Sequence, residues 1–158
     1  MYHMETISKT DLAHRTRQVI DRARRGDTLI VESYGEEQVV VMDAVDYRIL
    51  RAVAAYQASP PHPAPFSDSA MEPAGLSEAD VEQAVREAGG SPQARWNRVI
   101  AAYLDRHISM GRAAVLLGLS VYELDERFCR LDVPRRIGPE TVEEAQAEVD
   151  AALGRMSK

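Results

Sequence analysis

Residues 29–42 read LIVESYGEEQVVVM, which is two apolar, mostly β-branched runs separated by a short polar segment. β-Branched residues favour extended backbone, and a glycine between two such runs is typical of a hairpin turn. We therefore expect strands at about 29–33 and 38–42, joined through the segment 34–37. The hairpin decides the fold class, because the rest of the chain has mostly helical patterns.

The segments on either side of the hairpin predict one short strand and two helices. Residues 4–7 favour a strand, and Ser8 followed by Asp11 fits a capping box that opens a helix. Gly26 ends that helix, whose apolar positions have helical spacing: Leu12, Thr16, Val19, Ile20 and Ala23. A second helix is expected at about 44–57, so the order is β-α-β-β-α.

A proline-rich segment divides the chain. Five of the eight prolines lie in residues 58–75, which favours an extended and poorly packed linker between parts 1–57 and 76–158. The C-terminal part predicts helices only, beginning near Ser77, Ser91, Ser109, Ser120 and Pro139. The fold class expected is α+β, with an all-α C-terminal part. Trp96, Tyr103 and Tyr47 are expected in the core, and Cys129 is expected to be a buried apolar residue.

Composition and charge exclude several classes of protein. The lone Cys129 rules out an internal disulfide and a cysteine-clustered metal site, and the four histidines show no ligand spacing. No nucleophile-and-base pair or phosphate loop is evident, so we expect no enzyme, no metal and no cofactor. The apolar runs are too short to span a membrane and the N-terminus lacks signal-peptide features, which predicts a cytoplasmic protein.

The net charge of −6 conceals a basic segment. Residues 9–25 contain six Lys or Arg and two Asp or Glu. A basic element in an otherwise acidic chain is typical of a small DNA-binding protein with a separate protein-binding part.

The first third of the chain resembles the Phd/YefM antitoxins. The resemblance lies in an ordered series: METIS at 4–8, the basic helix, GDTLIV at 26–31, the glycine turn, VVVM at 39–42, and Asp46-Tyr47 opening a helix. It implies an α+β dimer whose sheet and first helices form a DNA-binding face, with a toxin-binding segment downstream. One difference is that the family often has an arginine late in the strand before the turn, where this chain has Glu32 and Ser33.

The basic helix supplies the expected DNA contacts. Amide groups and side chains near the start of a helix can hold phosphate. The candidate DNA-binding residues are Lys9, Thr10, His14 and Arg15. Three further arginines lie at the far end of the helix, where their positive charges can equally well stabilise the helix by interacting with its dipole: Arg22, Arg24 and Arg25.

Residues 109–131 resemble the helix-turn-helix of a small family often encoded beside nuclease toxins. Gly118 supplies the positive φ that the turn needs, and Ser120 caps the second helix. Carboxylates at Glu123, Asp125 and Glu126 would repel phosphate, so a protein-binding or structural role is favoured over DNA readout for this unit.

Toxin contact is expected from arginines of the C-terminal part and from its last helix. Arg135 and Arg136 follow Pro134 in a loop expected to be exposed, where they could pair with carboxylates of a nuclease site or serve only solubility. The last helix has an apolar stripe opposite an acidic face, so it could mask a basic groove or pack on its own domain. The candidate toxin-binding residues are Arg112, Arg127, Arg135, Arg136, Val142, Val149 and Leu153.

The sequence thus predicts the antitoxin of a type II toxin–antitoxin system, which neutralises a toxin and represses its own operon as a homodimer on operator DNA. The resemblance favours a PIN-type nuclease as the toxin. Two alternatives stay open, namely a transcriptional regulator without a toxin and a protein-binding adaptor that has lost DNA binding.

Overall fold

The computed structural model describes residues 4–59, 65–66, 73–136, 138–139 and 141–154. The chain divides into two compact units, Met1–Tyr47 and Arg48–Lys158. The described residues form an α+β structure, with a three-stranded sheet in the first unit and mostly helices in the second. The α+β fold class expected from the sequence is confirmed.

The N-terminal unit contains the β-sheet and two short helices. Its elements are β1 (Met4–Ser8), α1 (Lys9–His14), α2 (Thr16–Arg24), β2 (Thr28–Ser33) and β3 (Glu36–Val41). The strand order is β1-β2-β3, with β1 parallel and β3 antiparallel to β2. A parallel pair needs a crossover connection, which α1 and α2 provide.

The predicted hairpin is confirmed, and its turn has an unusual residue. Tyr34 and Gly35 both have positive φ, at 55° and 79°. Two residues with positive φ suit the twist of a two-residue hairpin, but an aromatic residue at the first position is disfavoured. Val31 pairs with Val39 and Glu32 with Glu37, so β3 has a bulge between them.

The helix predicted after β1 is interrupted, which the sequence pattern did not predict. Arg15 has φ −125° and ψ 30°, and separates α1 from α2. The hydroxyl of Thr16 donates to the carbonyl oxygen of Leu12 at 2.7 Å, which is the acceptor that a continuous helix would offer to the Thr16 amide. The chain therefore bends at the basic residues expected to contact DNA.

One face of the sheet is well packed and the other is partly open. Val19 and Ala23 of α2 are buried, as are Leu29 and Val31 of β2. Strand register places Thr6, Ile30 and Val40 together on the opposite face, and Val40 is 54% exposed.

Helix α3 spans Ala44–Ala58, close to the predicted bounds, but the division between units falls inside it. The sequence placed the boundary after residue 57. Within the second unit, the hydroxyl of Tyr56 donates to Asp105, and the side-chain amide of Gln93 donates to the carbonyl oxygen of Arg48. These contacts, with the buried Ile49 and Ala52, hold most of α3 in the helical unit.

The helical unit continues with α4 (Glu78–Glu87), α5 (Pro92–Leu104), α6 (Met110–Leu117), α7 (Val121–Arg130) and α8 (Val142–Leu153). Ser77, Ser109 and Ser120 each accept an amide hydrogen bond at a helix start, as predicted. Gly118 has φ 71° between α6 and α7, which confirms the predicted turn. Pro139 does not begin the last helix, because Thr141 caps it by accepting from the Glu144 amide.

The core of the helical unit is centred on α5. Trp96 and Tyr103 are buried as predicted, and Tyr103 packs against the ring of Phe128. Tyr47 is half-exposed and Cys129 is exposed, so the predictions that they are buried are wrong. Cys129 follows the buried Phe128 on α7 and lies about 100° further round the helix, on its exposed side.

Two residues of the predicted linker, Phe66 and Gly75, and the adjoining Leu76 are packed within the helical unit. The ring of Phe66 meets Tyr103 edge-on, with ring centroids 5.3 Å apart, and the Phe66 amide donates to the carbonyl oxygen of Leu104. The Gly75 amide donates to the carbonyl oxygen of His107, and Leu76 is buried. These residues therefore differ from the poorly packed chain expected from composition; residues 60–64 and 67–72 lie outside the described part.

Candidate nucleic-acid and protein interfaces

The start of α1 is fixed by a local hydrogen-bond pair. The Asp11 amide donates to the Ser8 hydroxyl at 3.0 Å, and that hydroxyl donates to the Asp11 carboxylate at 2.7 Å. The hydrogen bond from Ser8 lowers the pKa of Asp11 below its ordinary value. Lys9 and Thr10 are thus held on the first turn of a capped helix.

The four predicted DNA-binding residues are all exposed and lie together. Lys9, Thr10 and His14 line a surface cleft that the end of β2 and the hairpin turn close on the other side. His14 and Arg15 line a second depression at the bend between the helices, beside Thr16 and Arg17. The bend brings Arg15 next to the α1 residues, so the structure groups the predicted residues on one surface.

The cations of this surface are available to an anionic ligand. Within the described residues, Lys9, Arg15 and Arg17 form no ion pair, and all three side chains are exposed. A cation without an internal partner can neutralise a phosphate of a nucleic acid and thereby release the counterions condensed there.

Arg22, at the far end of α2, has a structural role. Its Nη2 lies 2.6 Å from Glu5 Oε2, and its Nε lies 2.9 Å from Asp27 Oδ2. Hydrogen bonds to Glu5 and Asp27 raise the pKa of Arg22 above its ordinary value. Arg22 therefore ties α2 to β1 and to the loop before β2, and we do not count it among the candidate DNA contacts.

The hairpin carries acidic groups and one prominent aromatic residue. Glu32 lines the same cleft as Lys9, and Glu32 and Glu37 are cross-strand partners. Tyr34 is fully exposed at the turn. The carboxylates of the hairpin repel phosphate, so this arrangement favours contacts to the DNA phosphates from α1 over contacts from the hairpin.

All four arginines expected to bind a toxin make contacts within the helical unit. Arg112 donates to the carbonyl oxygen of Leu76 at 3.0 Å through Nη2. Arg127 Nη2 lies 3.1 Å from Glu123 on the same helix, and Arg135 Nη1 lies 3.2 Å from Asp125. Only Arg135 among these is substantially exposed. The exposed residues of α7 are accordingly Tyr122, Glu126 and Cys129, with no arginine among them.

Arg136 requires a correction. The sequence predicts that it is exposed beside Arg135, but its side chain is 4% exposed. Its Nη1 lies 2.5 Å from Glu144 Oε1, and its Nη2 donates to the carbonyl oxygen of Ile108 at 3.0 Å. The backbone turns Arg136 inward at this point because its amide donates to the Tyr103 hydroxyl. A side chain bound in this way is not available to a partner's carboxylate.

The last helix presents the apolar residues that the sequence singled out. Val142, Val149 and Leu153 of α8 are all exposed, whereas Glu144 on the opposite face is buried. The sequence predicts an acidic face opposite the apolar stripe, but it does not predict that Glu144 of this face pairs with Arg136. No local pattern marks that pairing, because the partner lies in a loop before the helix.

Two other classes of site are not found. The part of the chain that the structure describes contains no group of three or more His, Cys, Asp or Glu placed to hold a metal ion. None of the helices in the described ranges has the length and apolar character needed to cross a membrane.

Comparison of the chain with models of known protein families, with curated proteins and with solved structures gives no match.

Proposed function

We propose that this chain is the antitoxin of a type II toxin–antitoxin system, which represses its own operon and neutralises a toxin by direct contact. The observation that carries the proposal is the grouping of Lys9, Thr10, His14 and Arg15 on one exposed surface of the N-terminal unit. The series of motifs that resembles the Phd/YefM antitoxins supports the same assignment. No catalytic step, metal or cofactor is assigned, and the proposed function places the protein in the cytoplasm.

The first part of the proposal is operator binding by α1 and the bend that follows it. Cations without internal partners gain most from phosphate contact, and phosphate contacts position a protein without reading sequence. The same unit is proposed to dimerise, because its small sheet leaves apolar residues such as Val40 half-exposed. Two copies would present two basic surfaces to two half-sites of an operator.

The second part of the proposal is toxin binding by the helical unit through the exposed face of α8. Val142, Val149 and Leu153 form an apolar stripe at helical spacing, which suits insertion into a groove. Arg135, whose side chain is 44% exposed, can add a contact if it exchanges Asp125 for a partner's carboxylate. The resemblance favours a PIN-type nuclease as the partner.

One observation favours the adaptor alternative. Glu32 and Glu37 face each other at the hairpin, and Glu32 lines the same cleft as Lys9, which weakens attraction to DNA near this element. In that alternative the protein binds partners only and has no operator. A regulator without a toxin would keep the basic surface but bind no neighbour-encoded protein.

The test is a titration of the protein on its own promoter DNA at several salt concentrations. The double variant Lys9→Ala, Arg15→Ala should bind more weakly, and each lost phosphate contact should reduce the salt slope by about 0.9. The matched control is Arg24→Ala, Arg25→Ala, which removes the same charge from the far end of α2 and should bind nearly as well as the parent chain. Equal effects of the two variants, or no salt-dependent binding at all, would favour the adaptor.

A further inference from the structure

Helix α8 packs with the opposite orientation to that usual for an amphipathic helix. Its largest apolar residues, Val142, Val149 and Leu153, are 80%, 48% and 53% exposed. Glu144, by contrast, is 1% exposed. An amphipathic helix ordinarily buries its apolar stripe, so a specific set of contacts must hold α8 the other way round.

Arg136 supplies the central contact. Its guanidinium is held by the carbonyl oxygen of Ile108 at 3.0 Å and lies 5.5 Å from the ring centroid of Phe66 and 5.9 Å from that of Tyr103. These contacts fix a cation in the interior of the helical unit. The carboxylate of Glu144 lies 2.5 Å from it and balances its charge.

Small residues complete the inward face of α8. A Cβ atom added to Gly75 would lie 2.5 Å from the carbonyl oxygen of Ala147 and 2.9 Å from the Cβ of Ala151. The Ser109 amide donates to the Glu148 carboxylate on the same face. A larger side chain such as Val149 does not fit at this close approach.

We propose that Arg136 and Glu144 are positioning residues that hold α8 with its apolar stripe outward, as a ridge for a protein groove with an apolar floor and a basic rim. The rim follows from charge complementarity, since the exposed Glu143 and Asp150 lie along one side of the ridge. The inference rests on the proposed function for the partner's identity, which would be the toxin. The orientation of α8 does not depend on that identity.

The ion pair between Arg136 and Glu144 determines which face of α8 is buried and need not make the folded chain more stable. A buried pair is often no more stable than apolar residues of similar volume, but loss of one partner leaves a buried charge without compensation. If α8 rotated to bury Val149, Glu144 would leave the interior and Arg136 would be a buried charge without a counter-charge. The pair therefore disfavours the alternative packing.

The experiment is hydrogen exchange of the full-length chain in the absence of a partner. Glu144→Ala should lower the protection of the α8 amides by about tenfold or more, because Arg136 then has no buried counter-charge. Amides of α5, α6 and α7 should keep their protection. Glu143→Ala, on the exposed face one residue away, is the matched control and should change nothing.

A rescue variant separates positioning from a general need for charge. Arg136→Met with Glu144→Leu should restore protection of α8, and with it binding of the purified protein encoded beside this chain. The inference is overturned if the α8 amides are as well protected from exchange in Glu144→Ala as in Glu143→Ala. It is also overturned if the rescue variant folds but its α8 amides stay unprotected. If these exchange results hold while the neighbour-encoded protein binds no variant, the proposed function fails and the positioning role stands.

Discussion

The hydroxyl group of Tyr56 donates a hydrogen bond of 2.7 Å to Oδ1 of Asp105, and both side chains are buried. Tyr56 lies on α3 and Asp105 caps the C-terminal end of α5. Burial, followed by the hydrogen bond to Asp105, raises the pKa of Tyr56 above its ordinary value, so the hydroxyl remains a donor at physiological pH. This contact joins most of α3 to the helical unit.

Tyr56→Phe should destabilise the chain by about 1–2 kcal/mol, because it removes a buried donor and leaves an acceptor of Asp105 with one partner fewer. Denaturant unfolding followed by circular dichroism measures the change. Tyr122→Phe is the control, since Tyr122 is exposed on α7 and loses no buried contact. Equal stability of the two variants would show that the Tyr56 hydrogen bond contributes nothing net.

The stability of the helical unit should fall as pH decreases below about 6.5, the ordinary pKa of histidine. His107 is buried, and within the described residues its Nε2 has no hydrogen-bond partner. Burial lowers its pKa, with Arg98 acting in the same direction and Asp105 opposing it. Below pH 6.5 the unfolded chain therefore binds a proton that the folded chain does not, and stability is lost until the pH passes the folded pKa.

The variant His107→Phe tests this pH dependence. Just below pH 6.5, the ordinary pKa of histidine, its free energy of unfolding should depend less on pH than that of the parent chain. Both proteins keep the pH dependence that arises from carboxylates. Parallel curves in this interval would exclude His107 as the source.

Gly75→Ala should be more damaging than Gly89→Ala, although both glycines have positive φ, at 69° and 68°. Gly89→Ala carries only the backbone cost of about 1–2 kcal/mol, since nothing lies within 4 Å of the added Cβ. Gly75→Ala adds a clash with the α8 backbone, which overpacking data put at about 1–3 kcal/mol more. Thermal unfolding of the two variants measures the difference, and equal midpoints would mean that α8 is not packed on Gly75.

Val40→Asp should weaken dimerisation of the full-length chain by about tenfold or more, because a charge would replace an apolar residue at the proposed interface of both copies. Gln38→Asp adds the same charge to the same strand and serves as the control. Sedimentation equilibrium at several concentrations measures both. A parent chain that stays monomeric at micromolar concentration would contradict the proposed dimer.

Features that depend on neighbours in sequence could be predicted, and those that depend on the tertiary environment could not. The caps at Ser77 and Ser120 and the turn at Gly118 follow from hydrogen bonds and backbone preferences within a few residues. The bend at Arg15 depends on competition between a side chain and an amide for one carbonyl oxygen, which helical periodicity does not register.

The candidate sites divide in the same way. The exposure of Lys9 and Arg15 follows from their place on the polar side of a short amphipathic segment. The burial of Arg136 depends on the carbonyl group of Ile108, the hydroxyl of Tyr103 and a carboxylate on α8, which only folding brings together. Charged residues in loops are mostly exposed, so the sequence alone predicts an exposed Arg136, whereas the folded chain buries it.

The proposed antitoxin function is tested most directly by growth of cells that express the protein encoded beside this chain, with and without this chain. We expect the neighbour-encoded protein to arrest growth and the full chain to restore it. Lys9→Ala, Arg15→Ala should still rescue when expressed from an unrelated promoter, whereas Val149→Asp, Leu153→Asp should not, because these residues form the outward face of α8. The antitoxin function would be excluded by a neighbour-encoded protein that does not arrest growth, and toxin binding through α8 by full rescue with the α8 variant.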